Sequence, residues 1–105
     1  MRQWELVSDP RAEKELDDLD GSLKPQVSRV IERVLLNPLP QSEGGYGKPL
    51  GNKNSSKLAG CLKIKLKKSG VRVVYRLIRE GDIMKIIVIS VRDDDEVYKE
   101  AERRL

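Results

Sequence analysis

Residues 62–77 alternate aliphatic and cationic side chains in a pattern that predicts a two-stranded β-hairpin. In residues 62–67 leucine or isoleucine alternates strictly with lysine, and residues 71–77 alternate again with arginine at every fourth position. Because side chains in a strand switch faces at every residue, the cations share one face and the aliphatic side chains the other. The cationic positions of this hairpin are Lys63, Lys65, Lys67, Arg72 and Arg76.

The turn between the two strands decides which cations face each other. With Ser69-Gly70 as a two-residue turn, Lys67 lies opposite Arg72 and Lys63 opposite Arg76. A three- or four-residue loop would shift this pairing, and an odd shift would move the arginines to the other face. Like charges opposite each other destabilise a ladder, so a concentrated positive surface points to a polyanion such as RNA or DNA. The alternative is a solvated face that is rich in lysine.

Two helices are predicted before the hairpin. Residues 3–7 indicate a short first strand, and Asp9-Pro10 then suits a helix start, because Asp caps and Pro fits the first helical position. Apolar residues at helical spacing follow, and Gly21 is expected to end this first helix. A wider apolar stripe begins after Ser22, a possible cap, and Asn37-Pro38 stops it. The two stripes predict a helical hairpin.

The remaining segments complete the predicted architecture. Residues 38–58 indicate a long loop, which carries Lys48, Lys53 and Lys57. Residues 83–91 are apolar on both faces and so indicate a central strand, and the acidic residues 93–95 can cap a last helix. The pattern predicts an α+β fold: an N-terminal strand and a helical hairpin packed on a mainly antiparallel four-stranded sheet, with a C-terminal helix. We expect the helices to cover one face of the sheet.

Length and composition narrow the classes of protein. The 105 residues predict one domain over 1–105, with 38% hydrophobic residues, 36% charged residues and a net charge of +4. No apolar run approaches the length of about 20 residues that spans a membrane, and the N-terminus lacks an apolar signal region. Cys61 is the one cysteine, which excludes an intrachain disulfide. We therefore expect a cytoplasmic protein that does not act at a membrane.

The absence of histidine excludes several kinds of chemistry. One cysteine and no histidine cannot build the usual zinc sites, and Ser-His-Asp or Cys-His nucleophile systems are excluded. No glycine-rich loop ending in Gly-Lys-Ser/Thr is present. We expect no metal and no cofactor, so any proton transfer near neutral pH falls to Lys, Tyr, Asp or Glu.

Four ordered segments resemble the RelE branch of the RelE/ParE toxin superfamily: CLKIKL at 61–66, SGVRVVYR at 69–76, VISV at 88–91 and EVYKEA at 96–101. The resemblance covers nearly the whole chain. It implies the toxin of a type II toxin–antitoxin pair, an enzyme that cleaves mRNA in the ribosomal A site and leaves a 2′,3′-cyclic phosphate and a 5′-hydroxyl. The implied partners are a RelB-like antitoxin, the 70S ribosome and mRNA, with operator DNA bound only through the antitoxin complex.

The same resemblance implies five catalytic residues. Lys63 and Lys65 match the strand lysines, and Arg72 matches the arginine after the Ser-Gly turn. Arg92 matches the arginine after the last strand, and Tyr98 the tyrosine of the final helix. The segment before the final helix is shorter than in the best-known RelE toxin and is acidic, and the loop before the hairpin is longer.

These residue types suit RNA cleavage by the 2′-hydroxyl of the RNA itself. Neighbouring cations disfavour the charged form of a lysine, so Lys65 or Lys63 is the candidate base. Arg72 would hold the phosphorane charge by bidentate contact. Arg92 would assist the leaving group as a weak acid or electrostatically, unless it only pairs with the acidic residues that follow it. Tyr98 would stack on the distorted base or orient it, unless it only borders the core.

Further cations are candidates for RNA binding, namely Lys67, Arg76, Lys57 and Lys48. Plain solvated side chains are the alternative for the loop lysines, and a position outside the site is the alternative for Arg76. Three other functions stay open at this point. These are a ParE-like inhibitor of DNA gyrase, a non-catalytic RNA- or ribosome-binding module, and an inactivated toxin kept as a repressor with its antitoxin.

Overall fold

The structure is a computed structural model that describes residues 3–50 and 56–105, so Lys53 lies outside the described residues. Within these two ranges, three α-helices and five strands follow one another. In order they are β1 (Glu5–Ser8), α1 (Pro10–Asp17), α2 (Leu23–Leu35), β2 (Lys48–Pro49), β3 (Cys61–Lys65), β4 (Arg72–Ile78), β5 (Ile83–Ser90) and α3 (Asp94–Arg103). Among the described residues, no helix is both long enough and apolar enough to cross a membrane.

The predicted start of α1 is confirmed. Pro10 is its first residue, and the Asp9 carboxylate accepts a hydrogen bond of 2.8 Å from the Arg11 backbone N–H. The Arg11 guanidinium donates two more hydrogen bonds to the same carboxylate, at 3.0 and 2.9 Å. These bonds from the Arg11 side chain are the main reason why the pKa of Asp9 falls to about 2.

Asp9 makes the stability of the fold depend on pH. A carboxyl group whose folded pKa is depressed stabilises the protein above its unfolded pKa of 3.8, and this contribution is lost as pH falls through about 2. Asp9→Asn keeps a capping oxygen but removes the charge. Because Arg11 is exposed and its attraction to Asp9 is screened, we expect the variant to lose only about 1 kcal/mol of unfolding free energy at pH 7. Urea titrations from pH 7 to pH 2 should show the two proteins converging, and a difference that is constant over this range would contradict the assignment.

The helix boundaries differ from the predicted ones at two positions. α1 ends at Asp17, before Gly21, and the Asp18 N–H closes its last turn on the Lys14 carbonyl at 2.9 Å. Ser22 does precede α2, but its side chain makes no capping hydrogen bond. The physical reason is its helical backbone (φ −79°, ψ −27°), whereas a capping side chain needs an extended one.

The α+β class is confirmed, but in the part of the chain that the structure describes the sheet has five strands where the sequence predicts four. Its order is β1-β5-β4-β3-β2, with β1 parallel to β5 and the other neighbours antiparallel. The additional strand, β2, lies within the segment predicted as loop and pairs Lys48 with Lys63 and Pro49 with Leu62. Two residues are too few for a period-2 pattern, and proline is tolerated because β2 is the edge strand.

Helices cover both faces of the sheet, so the expectation of helices on one face is wrong. α1 and α2 pack on one face, where the buried residues include Val27, Ile31 and Tyr75. α3 packs on the other face through Val97 and Ala101, which contact a second core. That second core exists because β5 is apolar on both faces, as predicted, and because a bulge beside Val74 and Tyr75 turns Ile87 and Val88 toward α3.

Candidate active site

The turn of the β3–β4 hairpin has four residues, 67–70. The Leu66 N–H donates to the Val71 carbonyl at 2.9 Å, and the Gly70 N–H donates to the Leu66 carbonyl at 2.8 Å. Gly70 has φ +76°, which glycine adopts without strain. The predicted two-residue turn at Ser69-Gly70 is therefore wrong.

The longer turn changes the pairing of the cations but leaves their face unchanged. Lys65 lies opposite Arg72, Lys63 opposite Val74, and Cys61 opposite Arg76. The predicted pairs Lys67–Arg72 and Lys63–Arg76 are wrong, because two more residues have left the ladder. The change is even, so the cations stay together on the face that α3 covers.

Arg72 is held at the start of α3. Its Nε donates to Asp94 Oδ1 at 2.6 Å, and its Nη1 donates to the Gly70 carbonyl at 3.2 Å and to the Arg92 carbonyl. The guanidinium is therefore anchored by one carboxylate and two backbone oxygens. Such a fixed fork is the geometry with which arginine binds phosphate oxygens.

Lys63 lies beside Tyr98 one row further along the hairpin. Its Nζ donates to the Tyr98 hydroxyl at 2.9 Å, lies 5.6 Å from the centre of the ring and is 3.9 Å from Asp94 Oδ2. The fold thus brings Lys63, Arg72 and Tyr98 together around Asp94. Lys65 is exposed, lies directly across from Arg72 and has no hydrogen bond or ion pair with the described residues.

The Arg92 side chain turns away from this group. It is exposed, its Nη1 lies 3.9 Å from Glu96 Oε2, and it lines a cavity together with Glu15 and Arg104. Only its carbonyl oxygen joins the site, as an acceptor for Arg72. The acidic partner of Arg92 is thus Glu96, one helical turn further on.

The four cations predicted to bind RNA spread outward from the site. Lys48 on β2 lies opposite Lys63 and so belongs to the same row. Lys67 is exposed in the hairpin turn. Arg76 is exposed at the far end of β4, where it lines a cavity with Lys57. The sequence reasoning missed the pairing of Lys48 with Lys63, because the two residues of β2 have no pattern that predicts a strand.

Asp94 is the residue of the site that the sequence reasoning missed. The acidic run predicts a helix cap, and Asp93 does cap α3, since its Oδ1 accepts from the Glu96 N–H at 3.0 Å. Asp94 is then the first helical residue and faces the hairpin. Its spacing of four residues from Tyr98 was the available signal, because positions i and i+4 share one side of a helix.

The site has the charge pattern of an anion-binding surface. Two cations, Lys63 and Arg72, are partly neutralised by Asp94, while Lys65 and Lys48 add further positive charge nearby. In residues 3–50 and 56–105, no three His, Cys, Asp or Glu side chains form a group that could hold a metal ion. The arrangement can bind a phosphodiester and stabilise added negative charge on it.

Comparisons with known proteins agree with the fold. No family model matches the chain. The mRNA interferase toxin RelE of Escherichia coli K12 is 33% identical over 100 residues, which cover 95% of this chain and 95% of that protein. A solved structure of a free E. coli RelE double mutant (arginine to alanine) has a TM-score of 0.75 at 29% identity and covers 99% of both chains. The toxin in the intact E. coli RelBE toxin–antitoxin complex has a TM-score of 0.65 at 29% identity, covering 86% of this chain and 98% of that one.

Proposed function

The chain belongs to the RelE family of mRNA interferase toxins, and from this premise we propose that it cleaves ribosome-bound mRNA in the A site as a type II toxin. The resemblance drawn from the sequence is thereby confirmed at the level of the family. One observation about the chain itself carries the proposal: the register that sets Lys65 directly across from Arg72, with Lys63 in the next row. Cations from two neighbouring strands can then converge on a single phosphodiester.

The proposed reaction is an attack of the RNA 2′-oxygen on the adjacent phosphorus. The O–P bond to the 2′-oxygen forms, the bond to the 5′-oxygen breaks, and a 2′,3′-cyclic phosphate and a 5′-hydroxyl result. A base must take the proton of the 2′-hydroxyl, and the departing 5′-oxygen must receive one. No metal and no cofactor is part of this proposal.

We assign these steps from the positions of the side chains. Lys65 takes the proton of the 2′-hydroxyl, because Lys63 is already engaged with Tyr98 and Asp94. Arg72 stabilises the charge on the phosphorane, aided by Lys63. Lys48, Lys67, Lys57 and Arg76 would contact flanking phosphates, whose neutralisation supplies much of the affinity for RNA.

Arg92 would assist the leaving 5′-oxygen after a change of side-chain orientation, either by donating a proton to it or by stabilising its charge while water supplies the proton. Its contact with Glu96 is a 3.9 Å ion pair between exposed groups, and such pairs contribute about 0–1 kcal/mol. Releasing it therefore costs little. With its carbonyl already at Arg72, the Arg92 side chain starts close to the phosphate that Arg72 would bind.

The role proposed for Tyr98 is stacking on a base of the message, and it gives a prediction. Tyr98→Ala should slow single-turnover cleavage of ribosome-bound mRNA about 10- to 100-fold, because stacking of a base on an aromatic ring contributes about 1–3 kcal/mol. Tyr98→Phe keeps the ring and loses only the hydroxyl that accepts from Lys63, so it should stay within about threefold of the wild type. Equal losses in both variants would assign the role to the hydroxyl and contradict stacking.

The proposed partner in the cell is a RelB-like antitoxin, by analogy with the E. coli RelBE complex. A surface with exposed Lys65, Lys67 and Arg76 favours an antitoxin segment that is acidic or amphipathic. Binding to operator DNA would take place only through the complex with that antitoxin. We place the reaction in the cytoplasm, where ribosomes translate.

A direct assay separates the proposed function from its alternatives. Purified protein is added in parallel to translating ribosomes, with primer extension on the message, and to a DNA gyrase supercoiling assay. We expect cuts in ribosome-bound mRNA and unchanged supercoiling. Gyrase inhibition without mRNA cuts would favour a ParE-like inhibitor. Salt-dependent ribosome binding without cuts would favour a non-catalytic module.

A further inference from the structure

We propose that Asp94 stands in for the RNA phosphate in the free protein and thereby suppresses the binding of RNA that is not presented on a ribosome. The inference rests on the proposed function and adds a residue that determines which RNA is accepted. It starts from one contact: the Asp94 carboxylate bridges Arg72 and Lys63, the two best-covered cations of the site.

The geometry of Asp94 is that of a phosphate mimic. One carboxylate oxygen accepts from Arg72 Nε at 2.6 Å, and the other lies 3.9 Å from Lys63 Nζ. A phosphodiester offers two non-bridging oxygens to the same donors. Carboxylate and phosphate therefore compete for one position, and the carboxylate is held at high local concentration by α3.

Asp94 is also the side chain that can most easily move out of its contact with Arg72 and Lys63. Its side chain is 40% exposed, against 15% for Arg72 and 22% for Lys63. The capping of α3 is done by Asp93, so rotating the Asp94 side chain breaks no capping hydrogen bond. Arg72 would stay in place without Asp94, because it still donates to the Gly70 and Arg92 carbonyls.

Competition between Asp94 and phosphate has different effects on a free RNA strand and on the same RNA bound to a ribosome. A free strand must displace Asp94 with only the contacts it makes to this protein. On a ribosome, further contacts between the toxin and the ribosome can offset the displacement. A charge-assisted hydrogen bond to a covered arginine corresponds to a change of about tenfold in affinity, which is large enough to measure.

The experiment measures RNA binding in the absence of ribosomes. The probe is a fluorescein-labelled single-stranded RNA with 2′-O-methyl groups throughout, which cannot undergo attack by its own 2′-hydroxyl. Its affinity for the full chain is followed by fluorescence anisotropy at about 0.15 M salt. The variants are Asp94→Asn, which removes the charge, and Asp94→Ala, which also removes the acceptor. Asp95→Asn is the matched control, because it removes a charge from the same helical turn at an exposed position.

Both Asp94 variants are expected to bind the probe about tenfold more tightly than the wild type, and Asp95→Asn within about twofold. The dependence of affinity on salt should steepen by about 0.7 in logarithmic slope for the newly available phosphate contact. Affinities of the Asp94 variants equal to that of Asp95→Asn would overturn the proposal, and so would weaker binding, which would assign Asp94 a positioning role. Failure of the wild type to cleave ribosome-bound mRNA would refute the proposed function instead, and the binding comparison does not depend on it.

Discussion

Arg72→Ala is expected to slow cleavage of ribosome-bound mRNA by about 10²–10³-fold. In the proposed mechanism Arg72 is the main donor to the charge that develops on phosphorus, and loss of one such preorganised donor has an effect of this size. The measurement is the single-turnover rate on a ribosome stalled with a defined codon in the A site. The expected loss falls on this rate even at saturating toxin, because the interaction strengthens in the transition state.

The controls for Arg72→Ala separate a catalytic loss from a folding defect. Arg79→Ala removes an arginine from the turn that follows β4, where its partner is Glu43, and should cleave like the wild type. The Arg72 variant should keep the thermal transition of a folded protein, because its partner Asp94 is half-exposed and can be solvated. Cleavage by Arg72→Ala at the wild-type rate would contradict the assignment of Arg72 as the main donor to the charge on phosphorus.

Arg104→Ala is expected to lower the free energy of unfolding by about 3 kcal/mol, because removing one partner of a covered ion pair leaves the other charge uncompensated. The Arg104 side chain is only 6% exposed and donates to Glu15 at 2.7 and 3.1 Å and to Glu100 at 2.9 Å. The same guanidinium donates to the Ile87 carbonyl at 2.8 Å. The hydrogen bond from Arg104 also holds the pKa of Glu100 below its usual value.

Arg104 stabilises the fold by hydrogen bonding to a part of β5 that the shorter strand β1 does not reach. The pairing of β1 with β5 ends at Ser8 and Ile86. Beyond that point no strand among the described residues pairs with β5 on that side. The Arg104 guanidinium donates to the Ile87 carbonyl, and the Glu15 carboxylate accepts from the Ile89 N–H at 3.2 Å. Removing Arg104 takes this donor away from the Ile87 carbonyl and from the carboxylates of Glu15 and Glu100. The expected loss of unfolding free energy lies at the lower end of the range for broken buried ion pairs, because Glu15 is partly exposed.

Urea unfolding at pH 7 measures this prediction, with Arg103→Ala as the matched control. Arg103 is the preceding residue and also pairs with Glu100, at 3.0 Å, but its side chain is 71% exposed. Its removal should change the unfolding free energy by less than about 0.5 kcal/mol. Equal losses from both variants would show that burial does not set the contribution of Arg104.

Much of the fold follows from local patterns in the sequence. The Asp9 cap, the stop of α2 before Pro38, the doubly apolar β5 and the cap of α3 depend on neighbouring residues, and the structure has all four. Two of the features that were wrong, the strand count and the placement of α3, depend on residues that are distant in the sequence. β2 exists only because β3 offers it an edge, and α3 covers the second face because a bulge in β5 creates an apolar patch there.

The sequence predicts which face of the sheet carries the candidate site, but not which side chains of the site contact each other. Alternation within each strand placed Lys63, Lys65 and Arg72 on one side whatever even length the turn takes. The turn length itself depends on where the first strand leaves the ladder. The alternation extends as far as Lys67, whereas in the structure Lys67 already belongs to the turn. The contact between Asp94 and Arg72 joins residues 22 positions apart across two elements, so no local spacing indicates it.

The central claim is that cations of two adjacent strands act on one phosphodiester whose own 2′-hydroxyl attacks it. The most direct measurement uses a message with a single 2′-deoxynucleotide immediately 5′ of the scissile phosphate, bound in the A site of a stalled ribosome. The wild-type protein should cut the all-RNA message, leave a 2′,3′-cyclic phosphate and a 5′-hydroxyl, and leave the substituted message intact. Cleavage of the substituted message at the same position and rate would contradict the account.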